Sequence, residues 1–146
     1  MSNLFDVLVS PEKKNAVVED CCTLVDLEVA DKSGISGLAI KASFAAVKGV
    51  KPGFIRSAVN DLLPEFAAAV EPLYAEAKAK SEPVAAYFAL NAARAADLLL
   101  ALTDGKAERS SHGIVKATYK RLRPSAKKNV EQAMPRVGKL IEKHAG

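Results

Sequence analysis

Catalysis needs convergent groups, and this 146-residue chain supplies few of them. Its two histidines, His112 and His144, stand in no ligand spacing such as H-x-x-x-H. A metal or acid–base site requires a constellation, not a lone imidazole. His144, close to the C-terminus, is expected to fray, and His112, near the start of a basic helix, to face solvent. Cys21 and Cys22 are adjacent, which suits neither a disulfide framework nor a metal site. On a helix they point about 100° apart. Cys21 then continues the Val17–Leu24 apolar stripe into the core, and Cys22 is partly exposed with no neighbouring cation to depress its pKa. Glu19, Asp20, Asp26 and Glu28 are spaced as a solvated face. No catalytic residue, metal or cofactor is expected, and the chain reads as non-enzymatic.

Two patterns are better suited to anions. Ser33-Gly34-Ile35-Ser36-Gly37, flanked by Lys32 and Lys41, could turn backbone N–H groups and a helix N-terminus toward a phosphate. The simpler reading is a C-cap glycine followed by the next N-cap. The second pattern is a run of cations. His112, Lys116, Lys120, Arg123 and Lys127 recur at i, i+4, i+8, i+11 and i+15, and would line one side if the helices there were continuous. Lys116, Lys120, Arg123, Lys127, Lys128, Arg136 and Lys139 therefore form a candidate anion or nucleic-acid face, whose binding would weaken steeply with salt. Aromatic interleaving for single strands and a base-reading element are both missing.

These cations belong to a wider pattern of charge blocks. Residues 1–31 carry two basic and seven acidic side chains, and residues 32–56 five basic and none acidic. Residues 57–104 carry three and seven, and residues 105–146 eleven and three, so the net charge is +4. Blocks this long either pair with one another inside the fold or present a basic face to an anionic partner.

The elements that must carry these groups read as helices. Alanine, with 26 residues, is over-represented, and tryptophan is absent. Alanine has the highest helix propensity and favours close helix packing. Ser10-Pro11-Glu12 predicts a helix start and Lys32-Ser33-Gly34 its stop. A third helix fits Gly37 to Val50, with Ile40, Phe44 and Val47 inward and Lys41 and Lys48 outside that stripe. Pro64 is expected to open a new helix and Pro72 to kink it. Ser81-Glu82-Pro83 and Thr103-Asp104-Gly105 bracket the most apolar segment, Val84–Leu102, taken as an enclosed central helix with Ala93 and Ala96 on its small-residue surface. Asn91, Arg94 and Asp97 make that segment a poor membrane span. Two basic amphipathic helices follow, separated at Pro124, the second bent at Pro135. No window alternates with period two, so no strand is expected.

Val25-Asp26-Leu27-Glu28-Val29-Ala30-Asp31-Lys32-Ser33-Gly34, running on to Lys51-Pro52-Gly53, together with Arg136-Val137-Gly138-Lys139-Leu140-Ile141-Glu142-Lys143-His144, resembles a family of small, uncharacterised bacterial all-helical proteins, a domain of unknown function. The resemblance implies a bacterial, cytoplasmic, all-helical protein and transfers no site residue. A cytoplasmic setting also fits the unpaired cysteines and a start without a secretory pattern. The expected fold is all-α, residues 1–146 forming one compact bundle of seven or eight helices, several short or proline-kinked. The expected role is a helical module that binds an unknown protein partner or itself. Sequence-nonspecific nucleic-acid binding through the C-terminal basic face is the alternative, and an enzyme or apolar-ligand carrier comes third.

Overall fold

The computed structural model describes residues 3–146, and Met1, Ser2 and the side chain of Ser36 lie outside the described residues. It is 84% helical, with no strand among the described residues. The helices are α1 (Leu4–Leu8), α2 (Lys14–Asp31), α3 (Gly34–Lys48), α4 (Phe54–Ala79), α5 (Val84–Leu90), α6 (Ala92–Glu108) and α7 (Gly113–Ala145). This is the expected all-α bundle. No single helix among the described residues is long and apolar enough to cross a membrane.

Four prolines lie inside helices, Pro64 and Pro72 in α4 and Pro124 and Pro135 in α7, where breaks or new starts were expected at Pro64 and Pro124. Each ring removes one backbone hydrogen bond and crowds the carbonyl four residues back. Pro72, Pro124 and Pro135 are exposed, so those carbonyls can turn to water and the helix continues through them. The C-terminal cations therefore ride on one 33-residue helix.

The expected central helix is instead broken. α5 and α6 meet at Asn91 with an 84° change of direction. The Asn91 side-chain amide donates to the Tyr87 carbonyl at 2.9 Å, a local bond that competes with helix propagation. From outside, Glu76 of α4 holds both sides of the corner: Arg94 donates to it at 2.8 and 2.7 Å and Tyr87 Oη at 2.7 Å. These two donors hold the Glu76 carboxyl down at about 2. The turn exposes Ala93 and leaves Ala96 buried, so only one of the two expected enclosed alanines is enclosed.

Other boundaries shift for local reasons. The Ser10 hydroxyl donates back to the Val7 carbonyl at 3.0 Å, closing α1, and α2 starts only at Lys14. α3 begins three residues before Gly37, with Gly34 at φ +74°. α6 runs past Gly105 to Glu108. Ser81 ends α4 instead of starting α5. It sits at φ +54°, its N–H donating to the Lys78 carbonyl at 3.1 Å and the Glu82 N–H to Ala77 at 2.9 Å. That is a Schellman closure with serine in the glycine position.

The core runs along α4 (Leu63, Ala67, Val70, Leu73) and is closed by Leu4 and Leu8, Val17 and Val18, Phe88, and Met134 and Ile141. α5 lies closest on α7, because Gly138 has no Cβ: one placed there would sit 2.6 Å from Ala85 Cα. The long helices also cap the short ones. Glu71 accepts from the Leu4 N–H at 2.9 Å, and Glu142 of α7 accepts from the Ala85 N–H at 2.8 Å, two helix N-termini each meeting a carboxylate. The carbonyl end of α7 meets donors, with Tyr74 Oη on Ala145 at 2.9 Å and Lys13 Nζ on His144 at 2.5 Å.

Gly138→Ala should lower stability by about 1–3 kcal/mol, because the clash with the α5 backbone exceeds the roughly 1 kcal/mol that alanine gains in helix propensity. Gly113→Ala, which meets nothing within 4 Å, should not be destabilising in the same urea titrations. Ser81→Gly should raise stability by about 0.5–1 kcal/mol, since a left-handed L-residue costs more than glycine's extra chain entropy.

Candidate functional site

The seven candidate cations do not form one face. At about 100° per residue, Lys116, Lys120, Arg123 and Lys127 fall within about 60° of one another on α7, whereas Lys128, Lys139 and Arg136 lie about 120–200° around the helix. The first group faces α6. Arg123 holds Asp104 through Nε at 2.8 Å and Nη2 at 3.2 Å, and Lys127 reaches Asp97 at 3.1 Å. Tyr119 Oη donates to Asp104 at 2.5 Å and lies 2.8 Å from the Thr103 hydroxyl. Thr103 and Asp104, expected to stop a helix, instead tie α6 to α7. Lys116 and Lys120 flank this cluster in a surface cleft shared with Glu108 and have no carboxylate in ion-pair range among the described residues.

The second group faces α2 and α3. Arg136 pairs with Glu28 at 2.8 Å and Asp31 at 2.5 Å. Lys128 lines a polar cleft with Lys32, Ser33, Asn129 and Gln132, so the two basic blocks meet there. Lys32 Nζ donates to Gln132 Oε1 at 2.8 Å, and the Gly37 N–H is already given to the Ser33 carbonyl at 3.1 Å. Gly37 is needed for packing, since a Cβ there would lie 2.7 Å from the Lys32 carbonyl carbon. Lys139 lines a groove between α2 and α7 with Lys143, Asp20 and Leu24.

The remaining candidates for chemistry are held in structural roles. His144, expected to fray, has a side chain only 9% exposed, with Nε2 2.7 Å from Asp20. Lys143 also binds Asp20 at 2.9 Å, and Lys143 and His144 together lower the Asp20 pKa. His112, expected in solvent, is half-buried with its ring edge-on to Phe54 at 5.4 Å. Burial pushes the Cys21 thiol up to about 12 and raises Cys22 as well, despite Arg56 nearby. Thiols kept protonated in this way are poor nucleophiles. Among the described residues no three His, Cys, Asp or Glu side chains converge on a possible metal position.

Two features were not anticipated. The first is the outward side of α3, where Ile35 is 89% and Leu38 69% exposed. Ala39, Ala42, Ala45 and Ala46 continue the stripe at i+4, i+7, i+10 and i+11 from Ile35, all exposed, and Lys41 and Lys48 run along one edge. The signal was present: α3 is apolar on nearly every side, and Ile40, Phe44 and Val47 account for only one. The second is a cavity of about 150 Å³ between α2, α4 and α7, lined by Cys21, Leu24, Leu63, Ala67, Val137 and Leu140 among other apolar side chains. No residue pattern announces it, since it arises where several helices fail to fill the space between them.

The described residues form an all-helical bundle in which Arg123, Lys127, Arg136 and Lys143 are paired with carboxylates of neighbouring helices. The chain belongs to a family of unknown function (DUF6918), matched over residues 4–145. No curated protein and no solved structure matches it.

The Arg123 guanidinium, and then the Tyr119 hydroxyl, hold the Asp104 carboxyl below its ordinary 3.8. With the folded pKa depressed, the stability Asp104 contributes is complete above the unfolded value and is lost as pH falls through the folded one. Asp104→Asn should therefore be less stable than wild type at pH 7, with the difference closing below pH ~3.8 in urea titrations across pH.

Proposed function

We propose that this protein is a non-enzymatic helical module that docks a protein partner on the outward face of α3, in a reduced, cytoplasmic, bacterial setting. The observation that carries this reading is the exposed apolar stripe from Ile35 to Ala46, bordered on one edge by Lys41 and Lys48. Apolar side chains scattered singly are ordinary on a surface, but six in helical register form a patch that a partner helix can cover. Charge selects the partner. Residues 32–56 contain no acid, so the same face of a second copy brings no carboxylate to these lysines. The complementary surface is an amphipathic segment whose apolar stripe is edged by Glu or Asp.

Nucleic-acid binding is the second reading, supported by Lys116 and Lys120 on a continuous α7. Against it, Arg123, Lys127 and Arg136 are already committed to carboxylates. One set of titrations separates the readings. The full chain is titrated with an amphipathic helical peptide carrying Leu and Ala on one face and Glu along its edges, with the same peptide edged by Lys, with anionic phospholipid vesicles, and with random duplex DNA. The Glu-edged peptide should bind at least about tenfold more tightly than the Lys-edged one and be lost in Leu38→Glu. Equal binding of the two peptides, or none, overturns docking on α3, as does vesicle binding lost in the same variant. DNA binding with a steep salt slope, lost in Lys116→Ala/Lys120→Ala, would establish the second reading.

A further inference from the structure

The cavity between α2, α4 and α7 shares a wall with a charged groove. Leu24 and Leu140 line both the cavity and the adjoining groove of about 250 Å³, which also carries Asp20, Arg136, Lys139 and Lys143. The charges of this groove are unequal in what they are free to do. Asp20 is held by Lys143 at 2.9 Å and His144 at 2.7 Å, and Arg136 is occupied by Glu28 and Asp31. Lys139 enters none of the ion pairs among the described residues. One uncommitted ammonium thus stands beside a wholly apolar chamber.

We propose that this chamber and groove together bind a medium-chain fatty acid, its tail in the cavity and its carboxylate on Lys139. A cavity of about 150 Å³ matches in size an engineered apolar one that holds benzene, so it suits roughly six carbons of a chain. The remaining methylenes and the head group extend past Leu24 and Leu140 into the groove. A neutral alcohol of the same length would fill the cavity but leave Lys139 unmatched, and a cationic amphiphile would meet three cations in the groove. The proposal does not depend on α3, which contributes no residue to either wall.

Decanoate, decanol and decyltrimethylammonium, each below its micellar concentration, are titrated into the full chain by calorimetry and thermal shift. Decanoate should bind saturably and raise the melting temperature, more tightly than decanol, with the cationic probe weakest. Lys139→Gln, an exposed change that keeps the fold, should weaken decanoate by about tenfold and leave decanol unchanged. Ala67→Leu, which fills the cavity, should abolish binding of both. The proposal is overturned by a lack of saturable decanoate binding or by equal affinity for the anionic and cationic probes. Unchanged decanoate affinity in Lys139→Gln would also overturn it. The Lys139 comparison decides the matter even if Ala67→Leu does not fold.

Discussion

The seating of α5 on α7 is the contact on which the rest of the architecture depends. At Gly138 the missing Cβ lets the α5 backbone at Ala85 come closer than any side chain would allow. That approach brings Glu142 within reach of the Ala85 N–H, so the same contact that packs α5 also caps it. A helix of seven residues is too short to be stable alone, and its order must come from such tertiary contacts. With α5 fixed across α7, the corner at Asn91 sends α6 back along the same long helix. Asp97 and Asp104 then face Lys127 and Arg123. Register at Gly138 and charge pairing near Arg123 are consequences of a single placement.

Charge organises this molecule more than it stabilises it. α7 is flanked by acidic elements on two sides, α2 with Asp20, Glu28 and Asp31, and α6 with Asp97 and Asp104. Exposed pairs of this kind contribute about 0–1 kcal/mol each, far less than burying a residue such as Phe88 or Leu73. Their value lies in orientation, since a rotated α7 would carry its cations away from these carboxylates. Of the candidate cations left over, Lys116 and Lys120 share one side of α7 while Lys128 and Lys139 lie on another, so the four do not form one surface.

Helical class and the stop of α2 at Asp31 were legible in the sequence because they depend on local propensity and capping. The continuity of α4 and α7 was not, because a proline's effect depends on whether the carbonyl behind it can reach water, which is a tertiary matter. At Pro124 it can, and the cation spacing that was conditional on continuity becomes real. The break at Asn91 was hidden for the opposite reason. Asparagine is common enough within helices, and it is the Glu76 clamp on Tyr87 and Arg94, added to the Asn91 bond on Tyr87, that makes the corner the better arrangement. Of the seven candidate cations, the spacing of Lys116, Lys120, Arg123 and Lys127 on one side was readable. Which of them meet a carboxylate was not, because Asp97 and Asp104 come from a helix whose direction is set by that corner. The outward stripe of α3 was masked by Ile40, Phe44 and Val47, which satisfied the search for a single buried face.

Alanine links the two features that lack an internal explanation. Small side chains allow helices to approach, as at Ala85 on Gly138, but the same smallness leaves space wherever the backbones do not close up. Ala67 is fully enclosed yet borders a chamber of about 150 Å³, where a larger residue could have filled the gap. Apolar walls left without packing partners forfeit contacts that a filled core would make. On α3 the alanines do the reverse, lying outward where lysine or glutamate would be more soluble and nearly as helical. Small residues thus stand both where bulk would stabilise and where charge would solubilise. Each choice costs the isolated chain something, and under the proposals made above each would be offset by the contacts of a bound molecule.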